Sequence, residues 1–169
     1  MKPTFVSHKD LPPFVPVGAK VLILGSLPSV ASREAGFYYM HPTNRFYATL
    51  AGLWQEAVPL SVEERKQFLT KHGIALYDTI ESCEIVGSSD SSIRSVVSAK
   101  QTIEKIEAKQ KLPVFTTGKK AHAIYQKHIG DDDVVLPSPS AANAAFSLED
   151  LKIAYRVLLP FLEEEKKKC

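Results

Sequence analysis

Short runs of mostly branched apolar residues, bounded by glycine, proline or polar residues, predict the buried strands of this chain. They are residues 20–24, 74–80, 114–116 and 133–136. The first run follows the proline-rich segment 11–16, which we interpret as an irregular arm. Each run is too short for a helix of ordinary length, so the strand interpretation is favoured.

Spacings of three and four between apolar residues predict the helices that separate these strands. They cover residues 44–54, 61–71 and 101–109, a segment opened by Gly118, and a long amphipathic segment that begins at Ser147. Strands that alternate with helices predict an α/β fold, a three-layer α/β/α sandwich around a mainly parallel sheet. At the carboxyl edge of such a sheet, polar segments converge even when they are far apart in sequence.

Length and composition favour one domain over residues 1–169. The chain has 169 residues, 44% of them hydrophobic, which suffices for one well-filled core. Its 21 Lys and Arg nearly balance 19 Asp and Glu, so net charge neither demands nor excludes a polyanionic partner. The distant Cys83 and Cys169 form neither a disulfide framework nor a cluster site. With no apolar run of membrane-spanning length, we expect a reduced, cytoplasmic protein without a membrane anchor.

The first predicted strand ends in a turn that is suited to binding a ligand. Gly25 and Ser26 open the turn, Leu27 follows, and Pro28 stiffens it before Ser29. Glycine permits close approach of a ligand, and the amides of such a turn can point at it. An ordinary strand-to-loop turn uses the same residue types, so the motif gains weight only from its neighbours.

Three consecutive aromatic residues, Phe37, Tyr38 and Tyr39, precede His41 and Asn44. Consecutive side chains of a loop cannot all enter one core, so we expect at least one to face a site. A flipped base stacks on aromatic faces, and such stacking contributes roughly 1–3 kcal/mol per base in single-strand binders. Phe37 and Tyr39 are the predicted base-binding rings. The alternative is a loop that folds over and places two of the rings in the core.

Together these segments resemble the uracil-DNA glycosylase superfamily. The resemblance rests on residues 25–29, 39–46 and 136–140 and on the helix that begins at Ser147, and it spans nearly the whole chain. The segment His41, Pro42, Thr43, Asn44, Arg45, Phe46 is similar to the one that follows the first motif in mismatch-specific uracil and thymine glycosylases. The resemblance implies a four-stranded parallel sheet between helices and a monomer. It also implies a base flipped from double-stranded DNA, whose glycosidic bond is hydrolysed without metal, cofactor or lyase step.

Two positions depart from the superfamily pattern. Leu27 stands where the mismatch-specific branch has a water-positioning Asn and the main uracil branch an Asp, and Leu136 stands where the main branch has a catalytic His. An apolar side chain can neither orient water nor accept a proton. The hypoxanthine (deoxyinosine) branch shares both absences, and its important Asn matches Asn44, which is therefore the predicted catalytic residue. The alternative is that Asn44 caps the helix that begins there.

The loop after the last predicted strand is the predicted DNA contact. The superfamily uses this loop to hold phosphates and to enter the groove left by the flipped nucleotide. Its tip carries only small side chains here, where other branches have Leu or Arg, so we expect weak intercalation and greater dependence on an unstable base pair. The predicted DNA-binding residues of the loop are Ser138, Ser140, Ala141, Ala142 and Asn143.

Other polar positions have two interpretations each. Lys119, at a helix start, can bind a phosphate or be a solvated basic turn. His41 can hydrogen-bond the base or a phosphate, or have a structural role, and Arg45 can reach a phosphate or pair with an acidic neighbour. The loop 87–92 is a weaker candidate for DNA contacts.

The sequence therefore predicts a monofunctional DNA glycosylase that removes a deaminated base, preferably hypoxanthine, in base excision repair. In this scheme the amides of Ser26 and Leu27 bind the base carbonyl, an aromatic ring stacks on the base, and Asn44 orients water or the base. The partner is double-stranded DNA with a deaminated base, so a cytoplasmic enzyme would associate with the nucleoid. The alternatives are uracil or G:T and G:U mismatch-directed excision, and a non-catalytic module that binds damaged DNA or nucleotides.

Overall fold

The computed structural model describes residues 3–86 and 93–163. The strands are β1 (Thr4–Ser7), β2 (Val21–Gly25), β3 (Ile74–Asp78), β4 (Ile80–Ile85), β5 (Ile93–Ser98), β6 (Val114–Thr117) and β7 (Val134–Leu136). The helices are α1 (Val30–Ala35), α2 (Phe46–Leu53), α3 (Val62–His72), α4 (Lys100–Lys109), α5 (Lys119–His128), α6 (Leu148–Tyr155) and α7 (Leu159–Leu162). A 3-10 turn, Arg156–Leu158, joins the last two helices. Most of the predicted strands and helices are found with small shifts at their ends, but the strand predicted over residues 74–80 and the long helix predicted from Ser147 are each divided.

A four-stranded parallel sheet forms the centre of the fold, in the order β3-β2-β6-β7. Every residue of β2, β3 and β6 is buried. Strands that are buried along their whole length need cover on both faces of the sheet, which the helices provide. The predicted α/β class, with a mainly parallel four-stranded sheet between helices, is confirmed. The residues that follow these parallel strands meet at one edge of the sheet.

A second sheet was not predicted. It has three antiparallel strands in the order β1-β4-β5. The predicted strand 74–80 is in fact divided at Thr79, where the chain passes from one sheet to the other. The amide of Thr79 donates to the carbonyl of Gly25 at 2.7 Å, and the amide of Ile80 donates to the carbonyl of Ser26 at 3.2 Å. These bonds fix the start of β4 against the turn that follows β2.

Each sheet has its own hydrophobic cluster. The larger cluster surrounds the parallel sheet, and the smaller one contains Val6, Ile80, Cys83, Ile85 and Ile124. Leu27 packs against the smaller cluster. The turn after β2 is therefore held between the two sheets.

Local capping interactions set the starts of two helices. Ser61 and Glu64 exchange the two hydrogen bonds of a capping box at the start of α3, as predicted. Ser147 and Asp150 make the same exchange at the start of α6. Over residues 3–86 and 93–163, no helix combines the length and the apolar character that crossing a membrane requires.

Candidate active site

A pocket of about 750 Å³ opens at the carboxyl edge of the parallel sheet. Its deepest residues lie at or near strand ends and are buried or half-buried, and we call them the pocket floor: Gly25, Tyr39, Asp78 and Thr117. Its outer residues lie in loops and are exposed or half-buried, and we call them the pocket rim: His41, Thr43, Asn44, Ser138, Ser140, Ala141 and Ala142. The two predicted motifs, more than ninety positions apart in sequence, therefore share one pocket.

Most of the predicted site residues line this pocket. They are Gly25, Ser26, Leu27, Pro28, Tyr39, His41, Asn44, Ser138, Ser140, Ala141 and Ala142. Phe37, Lys119 and Asn143 do not. Arg33, Asp78 and Thr117 line it without having been predicted.

Gly25 is required by the close packing of the pocket floor. A Cβ atom at this position would lie 2.6 Å from Asp78 Oδ1 and 3.2 Å from the Tyr39 hydroxyl. The first distance is well inside van der Waals contact, and Asp78 is only 4% exposed, so it has little room to move away. Glycine here lets two polar side chains approach the end of β2.

Tyr39 is the aromatic residue that faces the pocket. Its backbone has a φ of 56°, a left-handed conformation that is strained for a residue with a side chain. One face of its ring stacks on Phe46, with centroids 3.8 Å apart and planes within 14°. Its hydroxyl lies 3.2 Å from Thr117 Oγ1. Burial and the nearby Asp78 charge raise the pKa of Tyr39, so the ring remains neutral at physiological pH.

Phe37 is a correction to the sequence prediction, because it belongs to the core. It is 3% exposed and makes edge-on contacts with Phe14 and Tyr38. Tyr38 is buried beside it, and its hydroxyl donates to the carbonyl of Pro12 at 2.9 Å. Two of the three consecutive rings are therefore buried in the core, which was the alternative interpretation of this segment. Tyr38 also borders the pocket, but Tyr39 is the least buried of the three rings and the best placed to contact a ligand.

Asp78 brings a carboxylate into the pocket, where the sequence motifs showed none. It is the last residue of β3 and pairs in register with Gly25. Its Oδ2 lies 3.0 Å from Nε2 of His8, and both side chains are almost fully buried. The signal was present in the sequence, since an Asp ends the apolar run 74–78, but the prediction continued the strand through it.

Asn44 makes one structural contact and keeps one group open. Its Oδ1 accepts a hydrogen bond from the amide of Phe46 at 2.8 Å, at the start of α2. Among the described residues its Nδ2 has no hydrogen-bond partner, and the side chain lines the pocket. The N-cap residue of α2 is Arg45, and no side chain caps this helix, so Asn44 is not the helix cap of the alternative interpretation. Its bond to Phe46 is a local turn contact that leaves the amide nitrogen available to a ligand.

His41 is held by its neighbour in one tautomer. The amide of Thr43 donates to His41 Nδ1 at 3.2 Å, and the Thr43 hydroxyl lies 2.9 Å from the same atom. Because Nδ1 accepts, the proton of the neutral ring is on Nε2. His41 therefore presents an N–H group at the exposed rim.

Arg45 has neither of its two predicted roles. Its guanidinium donates to the carbonyls of Pro139, Ser140, Asn143 and Phe146. Its backbone amide also donates to the carbonyl of Pro139 at 3.0 Å. Arg45 thus fastens the loop after β7 to the segment that carries Asn44, and it fixes the two halves of the rim relative to each other.

The rim loop is also organised by its own polar side chains. The hydroxyls of Ser138 and Ser140 each accept a backbone amide two residues later, at 3.2 Å. Asn143 donates from Nδ2 to the carbonyl of Ser138 at 3.0 Å, so this predicted DNA contact instead braces the loop. Ala141 and Ala142 remain exposed at its tip.

Lys119, a further candidate, is exposed at the first position of α5 and lies outside the pocket lining. The loop 87–92, the weakest candidate, lies outside the described residues. In the described part of the chain, no group of three or more His, Cys, Asp or Glu side chains is placed to hold a metal ion.

Comparison with known proteins places this fold and pocket in a family. Residues 12–159 match the model of the uracil DNA glycosylase superfamily. The chain belongs to this superfamily. Membership supports DNA glycosylase activity and DNA as the class of substrate.

Individual proteins of this superfamily are similar to most of this chain. Hypoxanthine DNA glycosylase of Methanosarcina barkeri is 29% identical over 141 residues, which cover 82% of this chain and 89% of that protein. The protein of the same name from Methanosarcina acetivorans is 31% identical over 143 residues, which cover 82% and 90%. A solution NMR structure from Methanosarcina acetivorans, provisionally named uracil DNA glycosylase, matches with a TM-score of 0.69 and 27% identity. That match covers 92% of this chain and 99% of the solved one.

Proposed function

We propose that this chain is a monofunctional DNA glycosylase that removes deaminated bases, preferably hypoxanthine, from double-stranded DNA. The observation that carries this proposal is the polarity of the pocket floor and of the turn after β2. The amides of Ser26 and Leu27, in this turn, have no hydrogen-bond acceptor among the described residues. The carboxylate of Asp78, in the floor, lies close to the same turn, next to Gly25. The floor and the turn therefore offer donors and an acceptor side by side.

This pattern matches the lactam edge that deamination creates. Hypoxanthine presents a carbonyl oxygen at C6 and an N–H group at N1, which fit the turn amides and Asp78 respectively. Adenine presents the reverse, an amino group at C6 and a lone pair at N1. A site built to hydrogen-bond one pattern strongly rejects a base that leaves its buried polar groups unpaired. The names of the two relatives favour hypoxanthine among the bases with a lactam edge.

In this scheme the floor of the pocket recognises the base, and the rim acts on the bond between base and sugar. The buried floor takes the base, and the free face of Tyr39 stacks on it, because Phe46 covers the opposite face. Asn44, half-buried at the rim, then lies at the level of the sugar. Its fixed carboxamide orients the attacking water or the departing base without ionising. Donors at the base carbonyl stabilise the negative charge that grows on the base as the glycosidic bond breaks.

The rim is proposed to bind the DNA backbone. The hydroxyls of Ser138 and Ser140 accept bonds within the loop and keep their hydrogens for phosphate oxygens. Nε2 of His41 adds a donor on the opposite side. Ala141 and Ala142 enter the groove as a small wedge, which makes excision depend on a weak base pair. The enzyme acts as one domain and one protomer in this scheme.

A panel of duplex oligonucleotides tests the proposal. Each duplex carries one inosine, uracil, xanthine, G:T pair or normal A:T pair, and alkali after incubation cleaves the strand where a base has been lost. We expect cleavage at inosine to be fastest and cleavage at A:T to be absent. Cleavage confined to uracil or to the mismatch assigns the alternative excision activities. Binding without cleavage at any site refutes the enzymatic function.

A further inference from the structure

His8 reaches the pocket floor from outside the two motifs. It follows β1 and is 6% exposed, with its ring between Tyr38 and Tyr77 at centroid distances of 6.2 and 4.4 Å. Its Nδ1 lies 2.9 Å from the carbonyl of Leu11, and its Nε2 lies 3.0 Å from Asp78 Oδ2. This contact with Asp78 is at ion-pair distance, but it does not have the geometry of a well-aligned hydrogen bond.

The surroundings of His8 select its charged form. A carbonyl can only accept, so Nδ1 carries a hydrogen, and a neutral ring would then turn the lone pair of Nε2 toward the Asp78 carboxylate. Protonation of Nε2 replaces this repulsion with attraction. Burial has the largest single effect and lowers the pKa of His8. The close contact with Asp78, the charge of that carboxylate, the Leu11 carbonyl and the Glu81 charge together outweigh burial and raise that pKa above its ordinary value.

The pairing of one Asp78 oxygen with His8 directs the other oxygen at the turn after β2. Oδ2 is occupied by His8, whereas Oδ1 is the atom closest to the Cβ position of Gly25 and so faces the turn that holds the base. Without the His8 cation, the buried carboxylate would be left uncompensated, and no other described residue would hold Oδ2 and so aim Oδ1 at the base.

We propose that His8 is a positioning residue that pairs with Asp78 and directs its Oδ1 at the base, and thereby sets the selectivity of the pocket for lactam bases. This role rests on the proposed function, because it concerns the recognition of the same base. His8 touches no substrate. It acts through Asp78 alone.

The proposed role makes recognition dependent on pH. The groups that face His8 are Asp78, Glu81 and the rings of Tyr38 and Tyr77. The pKa values of both tyrosines are raised, chiefly by burial, so these rings stay neutral over the working range. As pH rises through the raised pKa of His8, the ring loses its proton and Asp78 loses its cation. Recognition therefore weakens on the alkaline side.

The test combines a titration with kinetics. The ring resonances of His8 are followed by NMR against pH in the wild type and in Asp78→Asn, and are assigned by their loss in His8→Gln. We expect a midpoint above the ordinary value of about 6.5 in the wild type and a lower midpoint in Asp78→Asn. A wild-type midpoint at or below the ordinary value overturns the proposal without any reference to catalysis.

Kinetics on an inosine duplex then separate positioning from a merely structural role. Gln at position 8 can donate to Asp78 without carrying charge, whereas Leu cannot donate. We expect KM to rise roughly tenfold in His8→Gln and more in His8→Leu, with a smaller change in kcat. The wild-type kcat/KM should fall with rising pH, and that of His8→Gln should not. This comparison also distinguishes His8 from His41, which lies in the same pocket.

Different results would refute the proposed role of His8 and the proposed glycosylase function. Identical pH profiles of wild type and His8→Gln, with inosine still cleaved, overturn the role of His8 and leave the glycosylase function intact. Failure of the wild type to release any deaminated base refutes the proposed function, and the proposed role of His8 with it. If His8→Leu loses activity because it misfolds, the NMR midpoint of His8 and the kinetics of His8→Gln decide whether the proposed role holds.

Discussion

The floor and the rim of the pocket are built by different means. Three of the floor residues lie at strand ends, and Tyr39 packs beside them, so that Asp78 and the Tyr39 hydroxyl leave no room for a Cβ atom at Gly25. Rim residues lie in two loops that one side chain, Arg45, holds together. In the floor, buried partners hold the polar side chains of Asp78 and Tyr39, whereas the rim leaves Asn44 Nδ2 and the hydrogens of the serine hydroxyls open. A floor of this kind suits recognition, and such a rim suits chemistry and contact with DNA.

The largest expected effect is at Asn44, the proposed catalytic residue of the rim. Asn44→Ala should lower the single-turnover rate of hypoxanthine release about 100-fold or more, the usual loss when one preorganised donor is removed from a reaction centre. A serine hydroxyl can accept the same backbone amide two residues later, so Asn44→Ser is the matched control for the contact with Phe46. We expect it to be as slow as Asn44→Ala. A rate near that of the wild type in Asn44→Ser would show that Asn44 has only this structural role.

Substitution of Arg45 tests whether the rim requires the hydrogen bonds that join its two loops. Lysine keeps the charge of Arg45 but cannot form the guanidinium fork, so Arg45→Lys should lower the free energy of unfolding by about 1.5–3 kcal/mol. Hypoxanthine release should slow by roughly tenfold, because the two halves of the rim lose their relative position. Urea unfolding and single-turnover assays measure the two effects. If Arg45→Lys is destabilised but releases hypoxanthine at the wild-type rate, the rim does not need these hydrogen bonds for activity.

Gly25 tests the packing of the floor. The added Cβ of Gly25→Ala would meet Asp78 Oδ1 at 2.6 Å, and overpacking of this kind costs about 1–3 kcal/mol. Excision of hypoxanthine should fall roughly tenfold, since Asp78 must move away from the base. Gly130→Ala is the control, because its Cβ would meet the exposed Asp132 at 3.1 Å, far from the pocket lining. Equal loss of activity in both variants would argue against a special role of Gly25.

The smallest expected effect concerns the wedge. Ala142 is exposed at the tip of the rim loop, and Ala142→Leu gives this tip a larger side chain to fill the groove. Excision from a stable inosine:cytosine pair should rise by a few-fold relative to excision from an inosine:thymine mismatch, where the base is already easily flipped. The ratio of the two single-turnover rates measures the effect. A ratio that does not change would show that this tip does not enter the duplex.

Local signals in the sequence were sufficient for the parallel sheet and for one half of the pocket. Apolar runs gave β2, β3 and β6, and the capping box at Ser61 gave the start of α3. The antiparallel sheet was missed because residues 80–85 mix apolar and polar side chains, and because one partner of this strand, β1, lies more than 70 positions away in sequence. Such pairing depends on tertiary contacts and leaves little local pattern.

The same distinction explains which site residues were missed. Glycine, proline and asparagine in the two motifs are visible because their local geometry is restrictive, and the structure brings them to one pocket. His8 and Arg45 act through partners 70 and more positions away, so neither role has a local signature. Phe37 was misassigned because three adjacent rings give no local sign of which one faces the core.

We propose that the pocket floor recognises a deaminated purine and that the rim releases it. The most direct test is to incubate the protein with equal amounts of an inosine duplex and a uracil duplex and to identify the free base by mass spectrometry, before any alkali treatment. We predict free hypoxanthine as the main product from the wild type and almost none from Asn44→Ala. Free uracil alone, or no free base from either duplex, would contradict the account.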